Sequence, residues 1–170
     1  PMGTAHFLEH KMFERDPDLY GGSDSFDDDF AAMGAESNAY TSHDRTVYYF
    51  SCTDRFTEGL KALLSMVSSL YVTPESVARE RGIIAEEIRM NADDPWEVCY
   101  ANMLRGLYAP VKKGGNPVRE EICGTEASIR RITPSILREA HERFYRPENM
   151  VLAVSGPITL EEVTAAATPA

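Results

Sequence analysis

Apolar positions along this chain recur at two different periods, and the changes of period mark out its elements. Over residues 4–13 the period is helical. At about 100° per residue His6, Glu9, His10 and Phe13 share one face, while Ala5, Leu8 and Met12 line another. Periodicity is then lost over residues 15–29, where Asp16, Asp18, Asp24, Asp27, Asp28 and Asp29 surround Gly21-Gly22, which predicts an acidic surface loop. Alternating β-branched and aromatic runs follow at 38–42 (NAYTS) and 45–51 (RTVYYFS), separated by His43-Asp44, which predicts a hairpin or bent strand pair. Tyr40, Tyr48, Tyr49 and Phe50 read as sheet packing.

The second half is mostly helical. Phe56, Leu60, Leu63, Leu64 and Val67 form the apolar stripe of an amphipathic helix over 55–69. Thr73-Pro74 is an N-cap and first-turn pair that starts a helix running to about Ala92. A further helix is predicted from Trp96, its anchoring start, to Leu107, and another over 134–144 behind Thr133-Pro134. The run MVLAVS predicts a strand over 150–155. Helices and strands mix without a βαβ rhythm, so the fold class is α+β, an antiparallel or mixed sheet packed with helices.

Composition narrows the partners. The 170 residues are 43% hydrophobic, enough for one domain with a substantial core. A formal charge of -10 argues against nucleic acid or an anionic membrane surface. No apolar run approaches the ~18 residues that span a bilayer. Cys52, Cys99 and Cys123 are scattered without a CxxC, and read as reduced thiols of a cytoplasmic protein. The acidic loop lacks the spacing and closing glutamate of a calcium hand.

The chemistry sits in HFLEH. Histidines one helical turn apart can aim two imidazole nitrogens at one point, as a helix does for tetrahedral zinc. Four histidines in 170 residues would place HxxEH by chance in this chain only about 0.01 times. Zinc that keeps an open position for water needs a third protein ligand. In ARERGIIAEEIRMN, the residues Glu80, Ile83, Ile84, Glu87 and Asn91 fall on one helical face, which reads as the buried stripe. Buried carboxylates need partners, and a metal is one; the alternative is a half-exposed edge paired with Arg79 or Arg81. Glu86 falls well around the helix, in solvent. His43 reads as a turn residue and His141 as a solvent-facing helical one.

GTAHFLEHKMFE together with GIIAEEI resembles the inverted-motif zinc peptidases of the pitrilysin and insulinase type, family M16, which include the mitochondrial processing peptidase. MGAESNAYTSHDRTVYYFS and ICGTEASIRRITPSILREAHERFYRPENMVLAVSGPI are similar to that family too, so the resemblance runs in order along nearly the whole chain. It implies the fold of the processing peptidases, shared with S-ribosylhomocysteine lyase, whose third metal ligand is instead a cysteine. It also implies that His6, His10 and Glu87 bind Zn2+, that Glu9 is the catalytic base, and that Glu80 orients a metal-bound histidine from behind. Asn38 and Ala39 match an edge strand that pairs with extended substrate backbone. Asn116 stands where relatives often carry His, outside the metal set.

The implied function is a zinc-dependent endopeptidase acting on extended peptides through a metal-activated water. The alternative is a non-hydrolytic peptide-binding or scaffold subunit that pairs with an active homologue. Residues 1–170 read as one metallopeptidase domain. It opens on Pro1-Met2-Gly3 almost inside the motif, as if cut from a longer protein with upstream strands and a second, clamshell-forming half. The expected partners are therefore peptide and a second half-domain or homologous subunit.

Overall fold

A computed structural model describes residues 1–110 and 114–168, in two compact units. The first comprises Pro1–His10, Tyr40–Thr46 and Val72–Arg138; the second comprises Lys11–Ala39, Val47–Tyr71 and Glu139–Ala170. The elements in chain order are α1 (Thr4–Met12), α2 (Asp27–Ala32), β1 (Glu36–Thr41), β2 (Thr46–Ser51), α3 (Phe56–Ser68), α4 (Pro74–Asp93), α5 (Pro95–Leu107), α6 (Glu126–Ile129), α7 (Pro134–Phe144) and α8 (Leu160–Ala167). Short 3₁₀ turns lie at Pro117–Arg119 and Pro147–Asn149. The architecture is α+β, helix-rich with one two-stranded antiparallel sheet among the described residues. Among them no helix is long and apolar enough to cross a membrane.

In the first unit α4 is the spine. Thr73 caps it, with its hydroxyl accepting from the Ser76 N–H at 3.1 Å, and Pro74 occupies the first turn. It stops where Pro95 forces Asp94 into an extended conformation, and the Asp94 carboxylate then caps α5 through the Trp96 N–H at 2.8 Å. The Arg81 guanidinium leaves α4 to donate to the carbonyls of Ile129 (3.2 Å) and Ile132 (2.9 Å), which satisfies the end of α6. Arg81 thus spends two of its donors on backbone carbonyls. Gly3 opens α1 at φ 85°, and a Cβ there would stand 2.5 Å from the Cys123 carbonyl oxygen. Only glycine allows that approach.

In the second unit α3 buries Leu60, Leu63 and Met66, and Phe50 of β2 lies between Phe30 (ring centroids 5.6 Å) and Phe56 (6.1 Å). The acidic stretch is ordered by the buried Arg15, whose guanidinium bonds Asp29 and Ser23 and stacks 4.6 Å over the Tyr20 ring.

Several expectations are corrected. Asp27, Asp28 and Asp29 form the first turn of α2 rather than loop, because acidic side chains suit a helix N-terminus and Phe30 behind them is buried. Residues 150–155 pair with no strand among the described residues, and Val151 is 94% exposed. A β-prone run becomes a strand only against a partner edge. Tyr40 and Tyr49 face out, whereas Tyr48 packs, its hydroxyl 2.6 Å from that of Tyr145. Trp96 is exposed, so its backbone N–H and not its ring anchors α5. His141 is half-buried, with Nε2 3.1 Å from the Val67 carbonyl and its ring stacked on Tyr145. Ala5 is exposed rather than lining a packed face.

Candidate metal centre

The first unit brings His6, Glu9, His10, Glu80 and Glu87 together. One helical turn of α1 puts the two imidazoles side by side, centroids 4.7 Å apart, and α4 presents Glu80 and Glu87 two turns apart on one face. His6 Nε2 lies 3.4 Å from Glu87 Oε1 and His10 Nε2 lies 3.5 Å from Glu87 Oε2. One donor atom from each of these three residues lies within 4.8 Å of the others. Tetrahedral zinc, with bonds of about 2.0–2.2 Å, separates its donors by about 3.4 Å. Two imidazole nitrogens and one carboxylate, so spaced, fit that ion.

Ile83 does not share the buried face; it is 52% exposed, while Ile84 is fully buried. Helical geometry sets Ile83 about 60° to one side of Glu80 and Ile84 about 40° to the other, and only the second side meets the core. Glu80 itself is buried, and its Oε1 lies 2.8 Å from His10 Nδ1. Accepting from Nδ1–H would leave the Nε2 lone pair of a neutral His10 directed at the cluster. Glu86, as expected, is exposed and paired with Arg89.

The electrostatics follow from these contacts. Burial alone pushes His10 down, but the hydrogen bonds and charges of Glu80 and Glu87 outweigh it and raise the imidazole to about 9. Glu87 is held far below the ordinary carboxylate range, first by its hydrogen bond with His10 and then by that with His6. His6 Nδ1 is buried without a hydrogen-bond partner among the described residues. Glu9 is buried and lies outside the three-residue donor set; its Oε2 accepts a hydrogen bond from the Thr41 hydroxyl.

Two neighbours escaped the sequence reading or entered it only in passing. Thr41 was seen only as the fourth residue of NAYTS, and nothing in its spacing from Glu9 signals contact. Cys123, read from sequence only as a reduced thiol, is not in the donor set. Its thiol donates to Glu87 Oε1 at 3.7 Å and sits 3.9 Å from His6 Nε2. Burial, then the Glu87 charge, pushes it up to about 12, so it stays a protonated thiol.

The remaining sequence-derived sites lie elsewhere or serve other ends. Asn38 and Ala39 lie on β1 in the second unit, and Asn38 Oδ1 accepts from the Ala39 N–H at 2.8 Å. His43 is exposed, with Nε2 3.3 Å from the Glu120 carbonyl. Asn116 caps the first 3₁₀ turn through the Val118 N–H.

Residues 1–119 match the insulinase family, peptidase family M16, and residues 131–169 match the M16 inactive domain. The uncharacterized zinc protease YmfH of Bacillus subtilis is 40% identical over 164 residues, covering 96% of this chain and 36% of its own length. The crystal structure of an M16-like peptidase from Alicyclobacillus acidocaldarius superposes with a TM-score of 0.86 at 41% identity, over 96% of this chain and 36% of that one. The first half of the periplasmic protease PqqL from Escherichia coli gives 0.80 at 28% identity, over 97% and 36%. The chain thus spans about a third of the length of each.

Proposed function

Because the chain belongs to the insulinase family, peptidase family M16, we propose that it is the metal-bearing part of a zinc endopeptidase that hydrolyses extended peptides. The convergence of both imidazole Nε2 atoms on the two oxygens of Glu87 carries this reading. His6, His10 and Glu87 would hold the ion. When bound, zinc supplies a Lewis acid that polarises a peptide carbonyl and acidifies water toward a pKa of ~7. Glu9, buried and outside the donor set, takes the proton of the attacking water and returns it to the leaving nitrogen. Glu80 fixes the tautomer and tilt of His10.

Asn38 and Ala39 would meet the substrate by main-chain pairing, which reads an extended backbone more than its side chains. The Ala39 N–H, now donating to Asn38 Oδ1, would turn to the peptide. The share of each relative that the chain covers supports a second half or homologous subunit closing over the substrate. Three free thiols support a cytoplasmic setting.

A second reading, a non-hydrolytic subunit that holds peptides beside an active homologue, is favoured by the inactive-domain match over residues 131–169. Metal analysis of the full-length protein, followed by a fluorogenic-peptide assay with and without chelator, separates the two. Stoichiometric zinc with chelator-sensitive cleavage supports the peptidase. Zinc or peptide binding with no cleavage under any condition supports the subunit.

A further inference from the structure

The Thr41 hydroxyl carries one proton, and it is donated to Glu9 Oε2. The Thr46 hydroxyl lies 3.2 Å from the same Thr41 oxygen. Since Thr41 has spent its proton on Glu9, Thr46 is the donor in that second contact. The result is a two-step chain, Thr46 to Thr41 to Glu9, running from the turn end of the hairpin into the α1 face that bears the histidines. Chains of this kind polarise each link and strengthen the last.

We propose that Thr41 is the positioning residue of the base, a deepening that rests on the reading of Glu9 above. A glutamate side chain has three rotatable bonds, and burial alone does not choose among its rotamers. Tying Oε2 to the end of β1 fixes the carboxylate plane. Oε1 accepts no hydrogen bond from the described residues, so it remains the oxygen that takes the proton. Thr46 keeps Thr41 from rotating its own proton elsewhere. A purely structural role, satisfying a buried carboxylate, predicts loss of stability on substitution but no selective loss of turnover.

The test uses the full-length, zinc-loaded protein with Thr41→Val, Thr41→Ser and Thr46→Val. Thr41→Val keeps the shape and strand preference of the side chain and deletes the donor. Its kcat is expected to fall about 10- to 100-fold, the scale of a misplaced catalytic group, with KM and zinc content unchanged. Thr41→Ser restores kcat to within about threefold, and Thr46→Val gives a smaller loss. Equal kcat in Thr41→Val, or failure of Thr41→Ser to rescue, overturns the proposal. If wild type cleaves no peptide, the endopeptidase reading fails and crystal structures of the same variants decide. A Glu9 carboxylate ordered in wild type and Thr41→Ser but displaced in Thr41→Val upholds the tether; an unmoved Glu9 overturns it. Should Thr41→Val not fold, the same comparison is made on Thr46→Val.

Discussion

Replacing Glu80 by glutamine should change how zinc affinity depends on pH more than it changes affinity itself. In the metal-free protein His10 titrates at about 9, raised from 6.5, with Glu80 Oε1 2.8 Å from its Nδ1. A metal can bind only the imidazole whose Nε2 is free, so at pH 7 the proton must first leave. Two pH units below the titration point is about a hundredfold handicap, on the order of 2–3 kcal/mol. Glutamine still offers an oxygen to Nδ1 but carries no charge. Burial then acts on His10 against Glu87 alone, and the imidazole gives up its proton at lower pH. The orienting carboxylate is lost as well, and such losses lower metal affinity by about 10- to 100-fold. The two effects oppose each other at pH 7 and only the second survives near pH 9.5. Competition titrations against a chromophoric chelator from pH 6.5 to 9.5 should therefore show wild-type affinity rising by nearly tenfold per unit up to about pH 9. The variant curve is expected to be flatter, closest to wild type at neutral pH and furthest below it at high pH. Parallel curves would refute the assignment of the His10 proton to Glu80.

Glu9→Gln should retain stoichiometric zinc and lose peptide hydrolysis by at least about 100-fold, whereas His10→Ala should lose both, as read by elemental analysis and fluorogenic turnover. Stability of the metal-free protein carries the same groups in opposite directions. His10, raised to about 9, contributes fully below its unfolded value of 6.5, and that contribution is lost as pH climbs through 9. Glu87, lowered from 4.5, contributes above that value and is lost as pH falls below it. With EDTA, Tm should fall between pH 6.5 and 9; with zinc bound, His10 is already neutral and that fall should vanish. In the second unit, a Cβ on Gly59 would stand 2.5 Å from Phe50 Cε2, so Gly59→Ala should destabilise by about 1–3 kcal/mol in urea titration.

The cluster of His6, His10 and Glu87 was legible because helical spacing is nearly deterministic. Residues at i and i+4 on α1, and carboxylates seven apart on α4, have only one geometry to adopt once helix is assumed. Apolar content, by contrast, misled at Ile83, since a stripe has two edges and tertiary packing chooses which one is covered. The run 150–155 had strand chemistry but no partner edge among the described residues, and pairing is not a local property. α8 was readable and missed: Thr159 and Glu162 form a capping box, with the Thr159 hydroxyl accepting from the Glu162 N–H at 3.3 Å. The bond from Thr41 to Glu9 joins residues far apart in sequence, and hydroxyls carry no periodic signal at all.

Charge explains why these contacts belong together. Glu9, Glu80 and Glu87 set three carboxylates around two imidazoles in a largely buried patch, and buried negative charge needs compensation. Thr41 supplies one hydrogen bond, but a hydroxyl brings no positive charge. In the metal-free fold a proton on His10 makes up part of the deficit, which is why that imidazole titrates so high. A divalent cation among His6, His10 and Glu87 replaces one positive charge by two and leaves the patch closer to neutral. Glu80 therefore strengthens the hold on proton and metal alike. Net affinity at neutral pH is set by the difference between them, so removing Glu80 should shift the proton before it empties the site.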